Sequence, residues 1–451
     1  MAVWSEVNTS EINKINRLDA EFWHPIYIAN ENNLKKYKNE KLGNLVSDFR
    51  KGIFYILASE YTDIGVPFYR SSNVGMIFPD DKDLVFISEQ KNNSEIKTCL
   101  RTRDIMLSKT GKNAAAIIMR EKCNVSQDVI AVKVKQEKIN PFYLVTYLNT
   151  NAGEKELKRR FQGQVQMHLS LPETRKALIP LVNDEIQKEI ELILRSSFEK
   201  QQLSESLYIN AKEILEREQR LDKLVFSKPL SYETELSKVV SNNRADADYY
   251  QVKYNQLRKI VWGHKIGFKR LIDFATPLKP NIDPSKYVMD RYCYIELADI
   301  NATLGIINSS NELFGKDLPS RARREVRAGD VIASAVVGSV DKAALVNLTH
   351  EGYLASTGFF HFRPKNGIQS EFLLMLVRSK CVTMQLQQES TGGILSAVPD
   401  ERLKNVVVPV IDEKLQNRIA ELVAESHKNY YESQQLLEQA KRRVEELIER
   451  R

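Results

Sequence analysis

Four stretches of this chain of 451 residues recur in the same order about 225 to 230 positions further on. Arg17-Leu-Asp-Ala-Glu-Phe-Trp reads against Arg244-Ala-Asp-Ala-Asp-Tyr-Tyr. Lys41-Leu-Gly-Asn-Leu-Val-Ser-Asp-Phe reads against Lys265-Ile-Gly-Phe-Lys-Arg-Leu-Ile-Asp-Phe. Asp104-Ile-Met-Leu-Ser-Lys-Thr-Gly reads against Asp330-Val-Ile-Ala-Ser-Ala-Val-Val-Gly. Ile179-Pro-Leu-Val-Asn-Asp-Glu-Ile-Gln reads against Val408-Pro-Val-Ile-Asp-Glu-Lys-Leu-Gln. The fold must therefore be one unit used twice. Residues 60 to 100 and 285 to 328 share little, so a common frame carries two different variable parts.

Within each copy the pattern is mixed α/β (α+β). Asp104-Ile-Met-Leu-Ser and Ala114-Ala-Ala-Ile-Ile-Met read as short strands around a Gly-containing turn, as do Asp330-Val-Ile-Ala-Ser and Ala343-Ala-Leu-Val. Val129-Ile-Ala-Val-Lys-Val and Gly358-Phe-Phe-His-Phe give a further strand each. Short helices are expected at about 141 to 150 and 370 to 380, where Pro141 and Ser370 suit helix starts.

A long helix closes each copy, from about Asn183 to Leu224 and from about Asp412 onward. Ile190, Leu194, Ser197, Gln201, Ser204, Tyr208, Ala211, Leu215 and Glu218 alternate steps of four and three. So do Ile419, Val423, Ser426, Tyr430, Ser433, Leu437, Ala440, Val444 and Leu447. That is a heptad pattern. Ser197, Ser204 and Ala211 match Ser426, Ser433 and Ala440 one for one, and small residues every seven positions let two backbones approach. The helices are expected to pair with each other as an antiparallel coiled coil. The expected domains are 1–182 and 226–410 as two tandem α/β domains, with 183–225 and 411–451 as their helices. Rods of this length span about 60 Å at 1.5 Å per residue.

The chemistry for an enzyme is missing. No GxxxxGK[ST], GxGxxG after a strand, HExxH, GxSxG or Asn-Pro-Pro-Tyr-like motif is present. Pro79-Asp80 with Glu95-Ile-Lys97 fits a loose metal-nuclease pattern, but it falls in a variable part without a counterpart in the second copy. Cys99, Cys123, Cys293 and Cys381 lie far apart, so neither zinc nor disulfides are indicated. No metal and no cofactor are expected on this chain. No apolar run reaches the roughly 18 residues of a membrane span. Nor does the start of the chain read as a secretory signal, so a cytoplasmic protein is expected.

Binding remains. Net charge is +7, which suits a polyanion. Arg321, Arg323, Arg324 and Arg327 cluster in the second copy. Lys109, Thr110, Lys112 and Asn113 sit at the Gly turn of the first, flanked by Arg101 and Arg103. Such cations neutralise phosphates, and Arg also reads guanine edges. Arg70, Ser72 and Asn73, together with Gln164, Gln166 and His168, supply polar groups for base contacts.

The duplicated frame resembles the specificity subunits of type I restriction–modification enzymes. Arg17-Leu-Asp-Ala-Glu-Phe and Arg244-Ala-Asp-Ala-Asp-Tyr are similar to that family's openings. Gly329-Asp-Val-Ile-Ala-Ser with Gly338 and Lys342 resembles its Gly-Asp segment. The run from Gln162 to Ser170, and Thr391-Gly-Gly-Ile-Leu-Ser396, resemble its Gly-rich turns. Ile179-Pro with Gln187 and Val408-Pro with Gln416 resemble its helix openings. Arg103 departs from the pattern, standing where a Gly is usual. So do Val182 and Ile411, in place of a second proline, and Asp184-Glu185 and Glu413-Lys414, in place of Glu-Glu.

The resemblance implies a non-catalytic subunit with two target recognition domains, each reading half of an asymmetric bipartite site in double-stranded DNA. Ser339, Lys342, Thr391 and Ser396 join the DNA-contact set on this ground. The helices would set the spacer and dock methyltransferase subunits, two of them, that bind S-adenosylmethionine and methylate adenine. A restriction/translocase subunit would join through these. Alternatives are a partner with fused methyltransferase and nuclease, a helical scaffold with two domains that bind no DNA, and a stand-alone repressor.

Overall fold

The computed structural model describes residues 3–110, 114–163, 167–222, 224–227, 229–391 and 397–449. The chain forms two compact units. The first comprises Met1–Lys200 with Glu432–Arg451, and the second Gln201–Tyr431.

Each unit is built on an antiparallel four-stranded sheet. In the first unit the strands are β1 (Val46–Lys51), β2 (Ile105–Ser108), β3 (Ala115–Ile117) and β4 (Val129–Val134). They lie in the order β1-β4-β2-β3. In the second unit β5 (Ala275–Pro277), β6 (Val331–Ser334), β7 (Ala343–Leu345) and β8 (Phe359–Pro364) repeat that order as β5-β8-β6-β7. The near-continuous apolar runs of β2, β3 and β4 have both faces covered. One face of this sheet packs on α1 (Pro141–Leu148), every residue of which is buried. In the second unit α3 (Ser370–Arg378) buries Phe372 to Val377 in the same place in the chain. Asn140 caps α1 by accepting from Phe142 N at 2.9 Å.

The stretches that share little sequence also share an architecture. Tyr61–Thr62, Val66–Tyr69, Val85–Ile87, Leu100–Arg101 and Lys122–Val125 form a five-stranded sheet in which Val66–Tyr69 runs parallel to Lys122–Val125. Arg291–Ile295, Asn311–Phe314, Ala322–Glu325 and Leu354–Ser356 form a four-stranded sheet in which Arg291–Ile295 runs parallel to Leu354–Ser356. Burial and backbone pairing are retained there while surface residues differ, which is why the likeness is invisible in the letters.

The turn before β2 explains one departure from the sequence pattern. Gly329 has φ +87° and donates to Val346 O at 2.8 Å. Arg103, in its place, has φ +75° and donates to Ile118 O at 2.8 Å. A side chain in this left-handed region costs about 1 to 2 kcal/mol. The Arg103 guanidinium offsets it by reaching Glu191 at 3.2 and 3.3 Å and lying 5.6 Å from the Phe142 ring centre. At the position matching Glu191 the second copy has Ala420, so the Gly turn has no such partner there. Arg103→Ala keeps the strain and removes the ion pair, whereas Arg103→Gly removes both. The Ala variant is therefore expected to be about 1 kcal/mol less stable than the Gly variant in urea unfolding. Equal or reversed stabilities would show that the turn is unstrained.

The long helices are α2 (Asp184–Glu218) and α4 (Glu413–Glu449). Asn183 and Asp412 cap them through bonds from Ile186 N and Lys414 N. Gln187 and Gln416 hold the preceding turns through Val182 O and Ile411 O. In the first unit Glu189 meets Arg443, Ser197 meets Ser433 and Lys200 meets Glu432, so the two helices run antiparallel. In the second unit Ser204 meets Ser426. Ser197, Ser204, Ala211, Ser426, Ser433 and Ala440 are all fully buried. The seam departs from strict heptads at equivalent ends. After Leu215 and Val444 the next buried residues are Gln219 and Ile448, not Glu218 and Leu447. A straight helix has 3.6 residues per turn, so a strict seven-residue stripe drifts off the contact line.

Candidate nucleic-acid interface

In both units the segments that follow β1 and β2 (or β5 and β6) meet at one end of the central sheet. In the first unit β2 ends at Ser108, β4 starts at Val129 and β1 ends at Lys51. The hairpin Phe161–Gln162 with His168–Leu169 comes to the same end, where Thr110 bridges His168 and Leu169 N bonds Lys109 O at 2.9 Å. In the second unit Val336 and Thr391 both bridge Ala397, and Val398 N bonds Ala335 O. The turn out of β2 is tied by Ser108 Oγ donating to Thr110 O at 2.8 Å, and that out of β6 by Ser334 Oγ donating to Val336 O at 3.3 Å. Gly338 supplies the left-handed backbone (φ +92°) that this second turn needs.

The variable sheets deliver their own residues to the same ends. Tyr69 O accepts from Ser126 N, just before β4, so Arg70 and Ser72 follow directly at this end. Arg321 O accepts from Thr357 N, just before β8. Arg321 and Ser72 are exposed, and Arg70 is half-buried with Nη2 on Asp83 O at 2.6 Å. Lys109 is half-buried beside Asp128 at 3.8 Å. Thr110, His168 and Ser339 are half-buried and Thr391 is exposed. Lys342 Nζ donates to Leu297 O at 2.8 Å.

Three expected contact residues have structural work instead. Asn73 is buried, and its side chain holds Arg70 N, Asp80 O and Lys82 O. Asp299 does the same for Glu296 N in the second unit, so Asn73 shapes a turn and offers nothing to a ligand. Arg324 is buried against Leu278 O and Asp400, and burial lowers its pKa despite that carboxylate. Arg323 is engaged by Asp283 at 3.0 Å and by Ser320 O. Lys112, Asn113, Gln164, Gln166 and Ser396 lie outside the described residues.

Sequence reading missed the feature that holds the hairpins. Arg17 grips Asp19 with two bonds and donates to Phe161 O at 3.2 Å, 4.7 Å from the Phe22 ring centre. Arg244 grips Asp246 likewise and donates to Ser390 O at 2.8 Å, 4.8 Å from the Tyr249 ring centre. The repeated Arg-x-Asp was the available signal. Among the described residues no three His, Cys, Asp or Glu side chains gather as a metal site. No described helix is long and apolar enough to cross a membrane.

Residues 33–211 match the family model described as the type I restriction modification DNA specificity domain. The specificity domain so defined takes in β1 to β4, α1 and most of α2. No protein with curated function matches the chain. Among solved structures the chain is similar to the type I S subunit from M. genitalium, at 10% identity and TM-score 0.46, over 91% of this chain and 95% of that one. It is also similar to the HsdS subunit from Thermoanaerobacter tengcongensis, at 13% identity and TM-score 0.29, over 91% and 96%.

Proposed function

We propose that this chain is the non-catalytic DNA sequence-specificity subunit of a restriction–modification complex, with residues 1–182 and 226–410 acting as two target recognition domains. Each reads one half of an asymmetric bipartite site. The observation that carries this reading is the repetition of one sheet end, with the same backbone pairing and different polar side chains. Arg70, Ser72, Lys109, Thr110 and His168 serve the first half-site. Arg321, Ser339, Lys342 and Thr391 serve the second. Phosphate contacts position the duplex and a few base contacts specify it. The helices, paired as a coiled coil, set the spacer and dock two adenine methyltransferase subunits, which bring S-adenosylmethionine. A restriction subunit joins through them.

The test is binding of the chain, purified with its partner subunits, to duplexes carrying randomised half-sites. Arg70→Ala is expected to weaken binding about tenfold and to lower the salt dependence by about one phosphate. Arg321→Ala is expected to do so through the second half-site. If both variants bind and select as the parent does, the sheet ends are not the DNA surface.

A further inference from the structure

The chain leaving β1 makes a short loop in which the smaller apolar residues point in and the larger ones point out. Ile53 is buried with Val66, Phe68 and Ile87, and Ile56 packs against the same cluster. Between them Phe54 and Tyr55 are 81% and 67% exposed. Nothing about the loop is slack. Ile53 N bonds Val125 O at 2.8 Å, and Gly52 N bonds Val129 O at 3.0 Å. A Cβ on Gly52 would lie 2.2 Å from Val125 O, so the approach is possible only for glycine. Leu57 N is tied to Glu60, which Lys91 also holds. The tip is a pair of aromatic rings on a fixed base.

Its place decides its occupant. Gly52 and Ile53 lie against 125–129, the segment that also receives Tyr69 and Lys109 through Ser126 and Asp128. The rings therefore stand at the sheet end that carries Arg70, Lys109, Thr110 and His168, beside exposed Lys51. This is a projecting tip rather than a groove, and it is bordered by cations. Rigid apolar side chains carried on a cationic surface are the device that proteins use to part stacked bases.

We infer that Phe54 and Tyr55 form a wedge that enters a base step of the first half-site and unstacks it. The inference rests on the DNA-reading role proposed above and adds a distortion to it. Kinking is sequence-dependent, so the wedge confers preference for a flexible step without hydrogen bonds to its bases.

The experiment uses the chain with its partner subunits and duplexes carrying 2-aminopurine at successive positions, excluding the methylated adenines. The parent is expected to raise the fluorescence at one step of the first half-site. Phe54→Ala with Tyr55→Ala is expected to abolish that rise and weaken binding about 10- to 30-fold, with signals in the second half-site unchanged. Phe54→Trp is expected to retain both. The wedge is rejected if the double variant binds and unstacks as the parent does. It is equally rejected if that variant loses a partner subunit in gel filtration while keeping the fluorescence rise. If the parent shows no specific duplex binding at all, the DNA-reading role itself fails, and the wedge with it.

Discussion

Replacing Ser426 and Ser433 by leucine is expected to destabilise the chain by about 4 kcal/mol, with each site contributing about half. Ser197 Oγ and Ser433 Oγ lie 3.0 Å apart, and Ser197 also bonds Ser433 O at 3.0 Å. Ser204 Oγ and Ser426 Oγ lie 3.2 Å apart, with Ser426 donating to Ser204 O at 2.7 Å. Hydroxyls that reach both a hydroxyl and a backbone carbonyl of the opposite helix require close backbones. A leucine has no room there without forcing the helices apart. It also removes the hydroxyl that the opposite serine meets, adding to the cost of overpacking. Replacing Ser197 and Ser433 together by alanine removes both partners and is expected to cost under about 1 kcal/mol. Urea unfolding reads both outcomes. Ser433 belongs to the first unit and Ser426 to the second, so single variants should move different parts of a biphasic transition. A midpoint unchanged by Ser433→Leu would reject the close seam.

This seam was legible because helix periodicity and residue size are local properties of the letters. So were the central strands. Ile105–Ser108 and Val129–Val134 are buried on both faces, and such strands keep their apolar runs through divergence. The candidate site was legible in place but not in detail. Arg70 and Arg321 come to the sheet ends, whereas Arg324 and Asn73 are spent on carbonyls and turns. Whether an arginine faces solvent or a buried carbonyl depends on residues distant in sequence, here Leu278 and Asp400 for Arg324. The likeness between the variable sheets was hidden for the opposite reason. Parallel pairing of Val66–Tyr69 with Lys122–Val125 is a long-range fact that no periodicity records. Phe54 and Tyr55 turn outward while Ile53 and Ile56 turn inward, a difference set by packing against Val66, Phe68 and Ile87 that no local pattern records.

Acid is expected to act on the second unit through His427. This ring is buried, stacked on Tyr208 at 6.2 Å, with Nε2 against Leu304 O at 2.8 Å. Burial pushes its pKa down from 6.5 to about 4, and the nearby Arg378 pushes the same way against the Leu304 bond. The folded value lies below the unfolded one. The neutral ring's contribution is therefore complete above pH 6.5 and is lost as pH falls toward 4. The loss amounts to about 3 kcal/mol across that window. The first copy has Phe198 at the matching position, 5.3 Å from Phe78 between ring centres, so an uncharged ring fits this place in the helix. His427→Phe leaves Leu304 O unpaired and is expected to cost about 1 to 2 kcal/mol at pH 7. It also removes the titration, so its stability should change less between pH 6.5 and 4. The two proteins' unfolding curves should converge or cross near pH 5. If both lose stability in parallel over that range, His427 is not the group that takes up the proton.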